Sequence, residues 1–418
     1  MTVRKSTTVR WFSTVAVCAA VSLIAVSGCG KKETAEQTPV QTPTQKPVQP
    51  CCGDCEKKTT PAVSPAVAKA MTTAARGIEY LKAAQNPDGS WGRDFKPPHD
   101  PKGNIGITSF ALYGVASAPG GQAHISADWF QKGLKWVVDR QREDGAFADP
   151  GEESFLNYQT SIAVQTLVEV NKDKYKPQID KAVAFIIGQQ FKTPDDPIKD
   201  GGIGYGSADK KRPDMSNSQM ALDALKAAGY NMNSPEMKNL LKFVQRCHDD
   251  SEVNDMEWAQ VGANTGGGIY RPEESKAGEY VGRGGKKSWK TYGGMTYAVF
   301  KSYIHLDLAP DSPELRAVLK WIRSEYTVSD NPGLKGDGYF YYIHTMAKSL
   351  RAWSVKTGDK TIIDGNGIAH DWAAEITDEL TKRQHADGSW LNAESRWMEA
   401  DPVLCTSYAL SALGAAAE

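Results

Sequence analysis

One short pattern recurs along this chain: a Gln, two further residues, Asp-Gly, one residue and then an aromatic side chain. Complete copies begin at Gln85, Gln141 and Gln384. Three degenerate copies lie between them, at 200–205, 266–270 and 337–339. Successive copies are about 50 to 80 residues apart, a spacing typical of repeat architectures. The sequence therefore predicts six structural units built on one plan.

Each copy separates two stretches with different helical signatures. The stretch before it is amphipathic, with apolar residues at i, i+3 and i+4, as in 133–140 and 313–322. The stretch after it is rich in small and apolar residues, which indicates burial on most sides. These second stretches are 108–115, 160–167, 216–225, 294–299, 344–350 and 406–413.

Six such helical hairpins predict an all-α fold over residues 66–418, an α/α toroid or (α/α)6 barrel. An open solenoid with two caps is the alternative. In the toroid the small-residue helices form an inner barrel, the charged helices form an outer one, and a cavity or cleft lies at one end. In the recurrent turn, Gly supplies a positive φ, Asp hydrogen-bonds to nearby amides, and the aromatic ring packs against the adjoining hairpin.

Residues 1–28 have the features of a secretory signal peptide. Arg4, Lys5 and Arg10 give it a positive start, and 11–26 is an apolar run too short to span a bilayer comfortably. The segment Val-Ser-Gly-Cys29 resembles the lipobox of bacterial lipoproteins, which makes Cys29 the predicted lipidation site. An ordinary leader that happens to carry a Cys is the alternative.

Residues 29–65 are rich in Pro, Thr, Gln, Lys and Glu and have almost no large apolar residue. Such a composition cannot bury enough apolar surface to offset ordering, so we expect a disordered tether. It contains Cys51, Cys52 and Cys55, three thiols without a fourth ligand, which make a weak metal site of open role. The predicted protein is exported and lipid-anchored to a membrane of the cell envelope, with the toroid outside the cytoplasm.

The charge balance excludes one class of partner. Forty-nine Lys and Arg face 50 Asp and Glu, for a net charge of -1. A nucleic-acid-binding protein needs a large basic field, so no nucleic acid is expected as a partner. The expected partners are the membrane, through the lipid anchor, and an isoprenoid or glycan ligand.

The form Gln-x-x-Asp-Gly-Ser-Trp, at 85–91 and 384–390, resembles the repeat of squalene and oxidosqualene cyclases. The whole region 66–418 is similar to their toroid domain and to protein prenyltransferase β subunits. The resemblance implies the α/α toroid and a relation to terpenoid chemistry. Fold and function separate readily, so each catalytic signature has to be found in the residues themselves.

Squalene-hopene cyclases begin their reaction with an Asp-x-Asp-Asp run whose central acid protonates an alkene. The best match here is Asp214-Met-Ser216-Asn217, which has a serine in the position of that acid. A hydroxyl of very high pKa cannot protonate an alkene, so the sequence disfavours a protonation-initiated cyclase. Asp214 and Asn217 remain cavity candidates, with helix capping as the alternative.

Protein prenyltransferases hold a catalytic zinc with Asp, Cys and a His from a Tyr-His-Thr segment. Tyr342-Ile-His344-Thr345 resembles that segment, but 290–297 contains no Asp-x-Cys, so two of the three ligands are absent. We therefore expect no metal and no cofactor. A further Cys-His-Asp-Asp run at 247–250 ends an outer helix and is expected to be a solvated terminus.

The densest remaining group of polar and aromatic residues falls in the last two repeats, which a toroid brings toward the same end. Such residues suit an isoprenoid pocket or a sugar-stacking cleft, and an aromatic inner core is the structural alternative. The candidates are Tyr339, Tyr341, Tyr342, His344, Arg396, Trp397, Glu399 and Asp401.

The sequence therefore predicts a membrane-tethered toroid that lacks the cyclase acid and the zinc site and binds a hydrophobic or carbohydrate ligand or a partner. Catalysis stays open at this point. One alternative is an enzyme of unrecognised terpenoid or prenyl chemistry. Another is a sugar-degrading (α/α)6 enzyme that uses paired carboxylates such as Glu399 and Asp401.

The lipobox predicts that Cys29 carries the membrane anchor. Replacing Cys29 with Ala is expected to move the protein from the detergent-requiring membrane fraction to the soluble fraction, because the tether has no other apolar anchor. Cell fractionation with immunoblotting measures this. Substitution of Cys55 by Ala is the matched control and should leave the distribution unchanged. An undiminished membrane pool of the Cys29→Ala variant would contradict the prediction.

Overall fold

Helix dominates the part of the chain that the structure describes. This computed structural model describes residues 64–93, 100, 102–206 and 212–418, which all belong to one compact unit, Pro61–Glu418. The predicted leader, Cys29 and the cysteine cluster at 51–55 lie outside the described residues. Among the described helices, none is long and apolar enough to cross a bilayer.

The helices alternate between two layers. In chain order they are α1 (Pro65–Ala83), α2 (Ile105–Ser117), α3 (Asp128–Val138), α4 (Leu156–Asn171), α5 (Lys176–Gly188), α6 (Met215–Ala228), α7 (Pro235–Arg246), α8 (Glu257–Gln260), α9 (Gly293–His305), α10 (Pro313–Ser324), α11 (Tyr339–Thr357), α12 (Trp372–Arg383) and α13 (Pro402–Ala417).

Six of these helices form a closed inner ring. Around the ring α2 packs on α4, α4 on α6, α6 on α9, α9 on α11, and α11 on α13. The last contact joins α13 back to α2, so the ring closes and the open solenoid is excluded. This confirms the predicted α/α toroid. The outer layer consists of α1, α3, α5, α7, α10 and α12.

The two layers differ because their sequences bury different surfaces. Outer helices such as α7 and α10 bury one apolar face only, and each is started by a serine that caps the first turn, Ser234 and Ser312. Inner helices such as α2 and α13 are buried on nearly every side. Small residues let them approach closely: a Cβ added at Gly114 would lie 2.9 Å from the Ser407 carbonyl oxygen.

The turn glutamine joins neighbouring hairpins. Gln85 Nε2 donates to the Gly89 carbonyl of its own turn and to the Trp129 carbonyl of the next outer helix, both at 2.8 Å. In the last repeat Gln384 Nε2 donates to Gly388 at 2.9 Å and to Thr73 of α1 at 3.0 Å. The same contact that links consecutive repeats therefore also closes the ring.

The turn glycine and aromatic ring pack on the next hairpin, as expected. Gly388 has φ +91°, and a Cβ added there would lie 2.4 Å from the Arg76 carbonyl oxygen. The ring of Trp390 is fully buried and lies against Gly77 of α1. Its indole N–H donates to the Leu380 carbonyl at 2.8 Å. Any side chain larger than hydrogen at the turn glycine would push the two hairpins apart.

The described strands are short and lie outside the repeat plan. β1 (Glu279–Val281) pairs antiparallel with β2 (Lys287–Trp289), and β3 (Ile362–Ile363) pairs with β4 (Ala369–His370). The first hairpin belongs to a long connection between α7 and α9. There the expectation for 247–250 was wrong: residues 247–250 are all buried, because 251–292 folds over them.

The glutamine contact predicts a stability effect at the ring closure. Gln384→Ala should lower the free energy of unfolding by about 1 to 3 kcal/mol, because two carbonyls lose their donor. Gln384→Glu should cost more at neutral pH, because a carboxylate would face the same two carbonyls. Urea unfolding measures both.

The control for this prediction is Lys382→Ala, on the exposed side of the same helix. Its effect should stay within about 0.5 kcal/mol of zero. Equal effects of Lys382→Ala and Gln384→Ala would show that the glutamine does not hold the ring together.

Candidate functional site

All six inner helices begin at the same end of the barrel, because each of them follows a repeat turn. Their first turns lie together around that end of the inner barrel, which we call the mouth. The candidates Asp214 and Asn217 lie at the start of α6, 339–344 opens α11, and 396–401 directly precedes α13. Most of the predicted site residues therefore collect around the mouth.

Asp214 is the N-cap of α6. Its Oδ1 accepts from the Asn217 backbone N–H at 2.8 Å, and its Oδ2 accepts from the Asn217 side-chain amide at 2.9 Å. Asn157 of α4 donates to the Asn217 side-chain oxygen at 3.1 Å. Burial raises the pKa of Asp214 to about 6, and the Asn217 hydrogen bonds oppose that rise. Asp214 and Asn217 therefore cap and brace α6, and Asp214 also titrates close to neutrality.

Ser216 faces the lumen of the inner barrel. Its hydroxyl contacts the Tyr158 hydroxyl of α4 and donates to the Tyr341 hydroxyl of α11 at 3.2 Å. Gln219, one turn deeper on α6, also donates to the Tyr341 hydroxyl, at 3.4 Å. Because α6 and α11 are not neighbours in the ring, these contacts cross the lumen. Ser216, which the sequence matched to the acid of the cyclases, thus has a hydroxyl that hydrogen-bonds to two tyrosine hydroxyls.

Two more tyrosines extend this group. The Tyr205 and Tyr270 hydroxyl oxygens are 3.3 Å apart, and the nearby Tyr270 hydroxyl partly offsets the rise that burial causes in the pKa of Asp214. The Lys276 ammonium lies 4.3 Å from the centre of the Tyr270 ring. We call the five hydroxyl-bearing residues the hydroxyl cluster. Its members are Tyr158, Tyr205, Ser216, Tyr270 and Tyr341. All four tyrosines remain partly exposed.

The sequence assigned Tyr205 and Tyr270 to the wrong role. They were matched to the buried aromatic of the repeat, but Ile203 takes that place in the third repeat. The Ile203 backbone N–H donates to the Ser218 hydroxyl at 3.0 Å, as Trp91 N–H donates to Thr108 at 2.9 Å. The tyrosine two residues further on is thereby released toward the mouth.

Glu399 is buried and caps a helix of the preceding repeat. One carboxylate oxygen accepts from the Tyr341 backbone N–H at 2.8 Å, and the other accepts from Phe340 N–H at 3.2 Å and from Asn392 Nδ2 at 2.6 Å. Burial raises its pKa to about 7 against the pull of these donors. Gly338, the N-cap of α11, has no side chain, so Glu399 supplies the missing cap.

Asp401 and Arg396 also have structural partners. Asp401 Oδ1 accepts from Val403 N–H at 2.8 Å and caps α13, while its Oδ2 has no hydrogen-bond partner in the described part of the chain. Arg396 donates to Asp337 at 2.8 Å. Trp397 lies between Arg396 and Asp401 in the chain, and its ring packs against Gly338. These contacts bring 396–401 onto the first turn of α11.

The three neighbouring tyrosines of α11 point in different directions. Tyr341 faces the lumen, whereas the Tyr339 hydroxyl donates to the Val328 carbonyl at 2.9 Å and the Tyr342 hydroxyl donates to the Thr327 carbonyl at 2.6 Å. Tyr339 and Tyr342 are therefore core residues between the two layers. The structure does not bring them into the lumen with Tyr341.

His344 lies one turn below Tyr341, deeper in the lumen. Its ring is edge-on to Phe110 of α2, with ring centres 5.5 Å apart, and 5.2 Å from Tyr408 of α13. Burial, together with the nearby charges of Lys348 and Lys301, lowers its pKa well below the usual range, so the imidazole is neutral. Among the residues that the structure describes, none hydrogen-bonds to its Nδ1.

A buried ion cluster, not foreseen from the sequence, forms the floor of the lumen. Lys301 Nζ of α9 lies 2.7 Å from Asp223 Oδ2 of α6, and Lys348 Nζ of α11 lies 3.6 Å from the same oxygen. Lys348 also donates to Tyr113 and Gln165, both at 2.9 Å. Burial would raise the pKa of Asp223, but the two ammonium charges outweigh it and hold that pKa below its usual range.

Isolated charges in otherwise small and apolar helices were the available signal for this floor. Asp223, Lys301 and Lys348 each interrupt such a helix. Buried charges are nearly always paired, so three of them in separate inner helices indicate a shared partner in the lumen.

Within the described ranges, no group of three or more His, Cys, Asp or Glu side chains is placed to hold a metal ion. His344 has the aromatic neighbours given above, and Cys405 Sγ donates to the Glu399 carbonyl at 3.2 Å. The expectation that the chain carries neither metal nor cofactor stays a prediction.

Comparison with known proteins identifies the fold. No protein-family model and no curated protein matches the chain. The apo type II terpene cyclase MstE from Scytonema aligns with a TM-score of 0.50 at 12% identity, over 84% of this chain and 98% of the other. The GH76A alpha-1,6-mannanase from Salegentibacter sp. HEL1_6 aligns with a TM-score of 0.54 at 10% identity, over 83% and 98%. The chain has an α/α toroid fold. Neither activity follows from such low identity.

The buried position of Asp214 predicts a pH dependence of stability. With a folded-state pKa of about 6 against the ordinary 3.8, the folded protein binds more protons than the unfolded chain between these values. Its free energy of unfolding should therefore fall, relative to that of Asp214→Asn, as the pH rises from about 4 to about 7. Urea unfolding of both proteins across this range measures the difference.

Asp387 gives a control of opposite sign. Hydrogen bonds from the Ser389 backbone and hydroxyl lower the pKa of this exposed carboxyl. Its stabilising contribution is present above its ordinary pKa and is lost as the pH falls. The wild type should therefore gain stability over Asp387→Asn as the pH rises toward about 4, so the titration of this pair extends below that pH. A difference of the same sign for both variants would refute the assignment for Asp214.

Proposed function

We propose that the toroid binds a carbohydrate at the mouth of its inner barrel. The observation that carries this proposal is the hydroxyl cluster: four partly exposed tyrosines and one serine around a single carboxyl group, Asp214. Sugars are recognised by aromatic surfaces that cover their C–H faces and by polar groups that exchange hydrogen bonds with their hydroxyls. The cluster offers both within one opening.

The polar floor supports a carbohydrate over an isoprenoid. A prenyl chain in the lumen would have to lie against Asp223, Lys301 and Lys348 and against the unpartnered nitrogen of His344. Covering charges with hydrocarbon removes their remaining solvation and offers no hydrogen bond in return. A ligand with hydroxyl groups satisfies such donors and acceptors instead.

Sugar degradation is the second candidate. The observation that favours it is Asp214, a buried carboxyl whose pKa of about 6 suits a general acid. The pair named from the sequence supports it less: both Glu399 oxygens accept hydrogen bonds that start α11, and Asp401 caps α13. Glycoside hydrolysis in most families needs two carboxyl groups flanking the bond. Binding therefore ranks above hydrolysis.

The fold is compatible with a sugar chain. The mannanase was also solved as an inactive variant in complex with alpha-1,6-mannotriose, with a TM-score of 0.53 to this chain and 10% identity. That ligand belongs to the mannanase. It nevertheless makes alpha-1,6-mannotriose a reasonable first probe, beside oligosaccharides of other linkages.

The proposed location of the toroid is outside the cytoplasm. The lipobox-like segment ending at Cys29 and the polar stretch 29–65 support an exported protein tethered to a membrane. Glycans of the cell envelope would then be within its reach. Fractionation of the Cys29→Ala variant tests the tether independently of any ligand.

The hydroxyl cluster predicts which tyrosine matters for binding. Oligosaccharides, with alpha-1,6-mannotriose among them, are screened on a glycan array, and the hits are measured by isothermal titration calorimetry. Tyr341→Phe should weaken binding about 3- to 10-fold, because it removes the one hydroxyl that Ser216 and Gln219 both contact across the lumen.

Tyr342→Phe is the matched control. It removes a hydroxyl from the next residue of the same helix, but one that contacts the Thr327 carbonyl away from the lumen. Its affinity should equal that of the wild type. The proposal fails if no glycan binds, or if the two variants weaken binding equally.

A further inference from the structure

The segment just before α13 has the most unusual backbone at the mouth. Trp397 has φ +55° and ψ +37°, and Met398 has φ +69°. Two consecutive residues other than glycine are thus held in the left-handed region. Such a conformation is unfavourable for a residue with a side chain and persists only where its surroundings enforce it. Strain of this kind is often found at functional sites.

The surroundings do enforce this conformation. On one side Arg396 is bound to Asp337 at 2.8 Å, and on the other Glu399 is bound to the Tyr341 backbone N–H at 2.8 Å. Asn392 Nδ2, earlier in the segment, donates to the Gly336 carbonyl at 2.8 Å. Trp397 is therefore held between fixed points on the start of α11.

The strain presents the Trp397 ring to solvent. The Arg396 guanidinium lies 4.2 Å from the ring centre, and the benzo edge lies against Gly338, yet Trp397 remains 42% exposed. The tryptophans of the repeat turns, Trp91 and Trp390, are by contrast fully buried. One side of the Trp397 indole therefore packs on Gly338, and the rest of the ring faces solvent in a fixed orientation.

The ring also lies close to the hydroxyl cluster. Tyr341 lies one turn after Gly338 on α11, and Gly338 is the residue that the Trp397 ring contacts.

We propose that Trp397 is a stacking platform that binds one sugar ring of the ligand at the rim of the mouth. This inference rests on the proposed carbohydrate function and deepens it. The indole face covers the C–H face of a pyranose ring, while the hydroxyl cluster hydrogen-bonds to the next sugar inward. The ligand class is therefore an oligosaccharide of at least two units, bound from the rim toward the lumen.

The test uses the full chain and titrates the array hits, with alpha-1,6-mannotriose as the first probe. Trp397→Gly should weaken binding about 3- to 10-fold, whereas Trp397→Phe should keep most of the affinity because it retains a ring. Leu391→Ala is the matched control, because Leu391 is equally exposed in the same segment but has no ring. Its affinity should stay within twofold of the wild type.

Thermal unfolding separates a platform from a structural role. Glycine adopts positive φ without steric strain, so the melting temperature of Trp397→Gly should equal or exceed that of the wild type. Its affinity for the glycan should nevertheless be lower. A lower melting temperature together with a loss of binding would show that Trp397 has a structural role and is not a stacking platform. Wild-type affinity in Trp397→Gly would overturn the platform and leave carbohydrate binding intact. Absence of glycan binding by the wild type would overturn both proposals.

Discussion

The side-chain amide of the turn glutamine is the interaction on which this ring depends. A helical hairpin has no sheet to fix its distance from its neighbour, so the register of six hairpins must come from contacts between turns and helices. Gln85, Gln141, Gln190 and Gln384 each donate to their own turn and to the next outer helix. Because the last of these bonds reaches α1, spacing and closure follow from one contact. In the fifth repeat Tyr326 makes the equivalent link, to Glu375 at 2.9 Å.

This dependence explains why the fold was predictable from the sequence. The turn pattern, the amphipathic outer stretches and the small-residue inner stretches are all local features, and each predicts one part of a hairpin. The degenerate repeats were harder, because the hydrogen bond that defines the turn needs only a backbone N–H and a hydroxyl such as Ser218. In the third repeat the aliphatic residue Ile203 fills the buried position, so Tyr205 lies at the mouth. Matching by residue type alone placed that tyrosine in the core.

The candidate site was predicted less completely, because its contacts cross the lumen. Lys348 meets Gln165 and Tyr113 across 183 and 235 residues of chain, and no local pattern carries that information. Consecutive residues on a helix diverge by about 100°, so Tyr341 and Tyr342 serve different parts of the structure despite their adjacency. The sequence correctly placed 339–344 at the candidate site, but it did not determine which side chains of that segment face the lumen. Charged residues inside the small-residue helices were the unused signal for the floor.

We expect the polar lumen, more than the fold, to disfavour cation-forming chemistry in this chain. A carbocation survives only where no nucleophile is near, and here the floor holds the Asp223 carboxylate and Lys301, whose pKa burial lowers to about 8. We therefore expect Ser216 not to form such a cation and the charged floor not to protect one. Both changes leave the helices and turns intact, because inward-facing positions of the inner ring do not take part in the glutamine contacts. One toroid scaffold therefore suits an apolar cavity or a polar mouth, depending on a few residues that the repeat does not constrain.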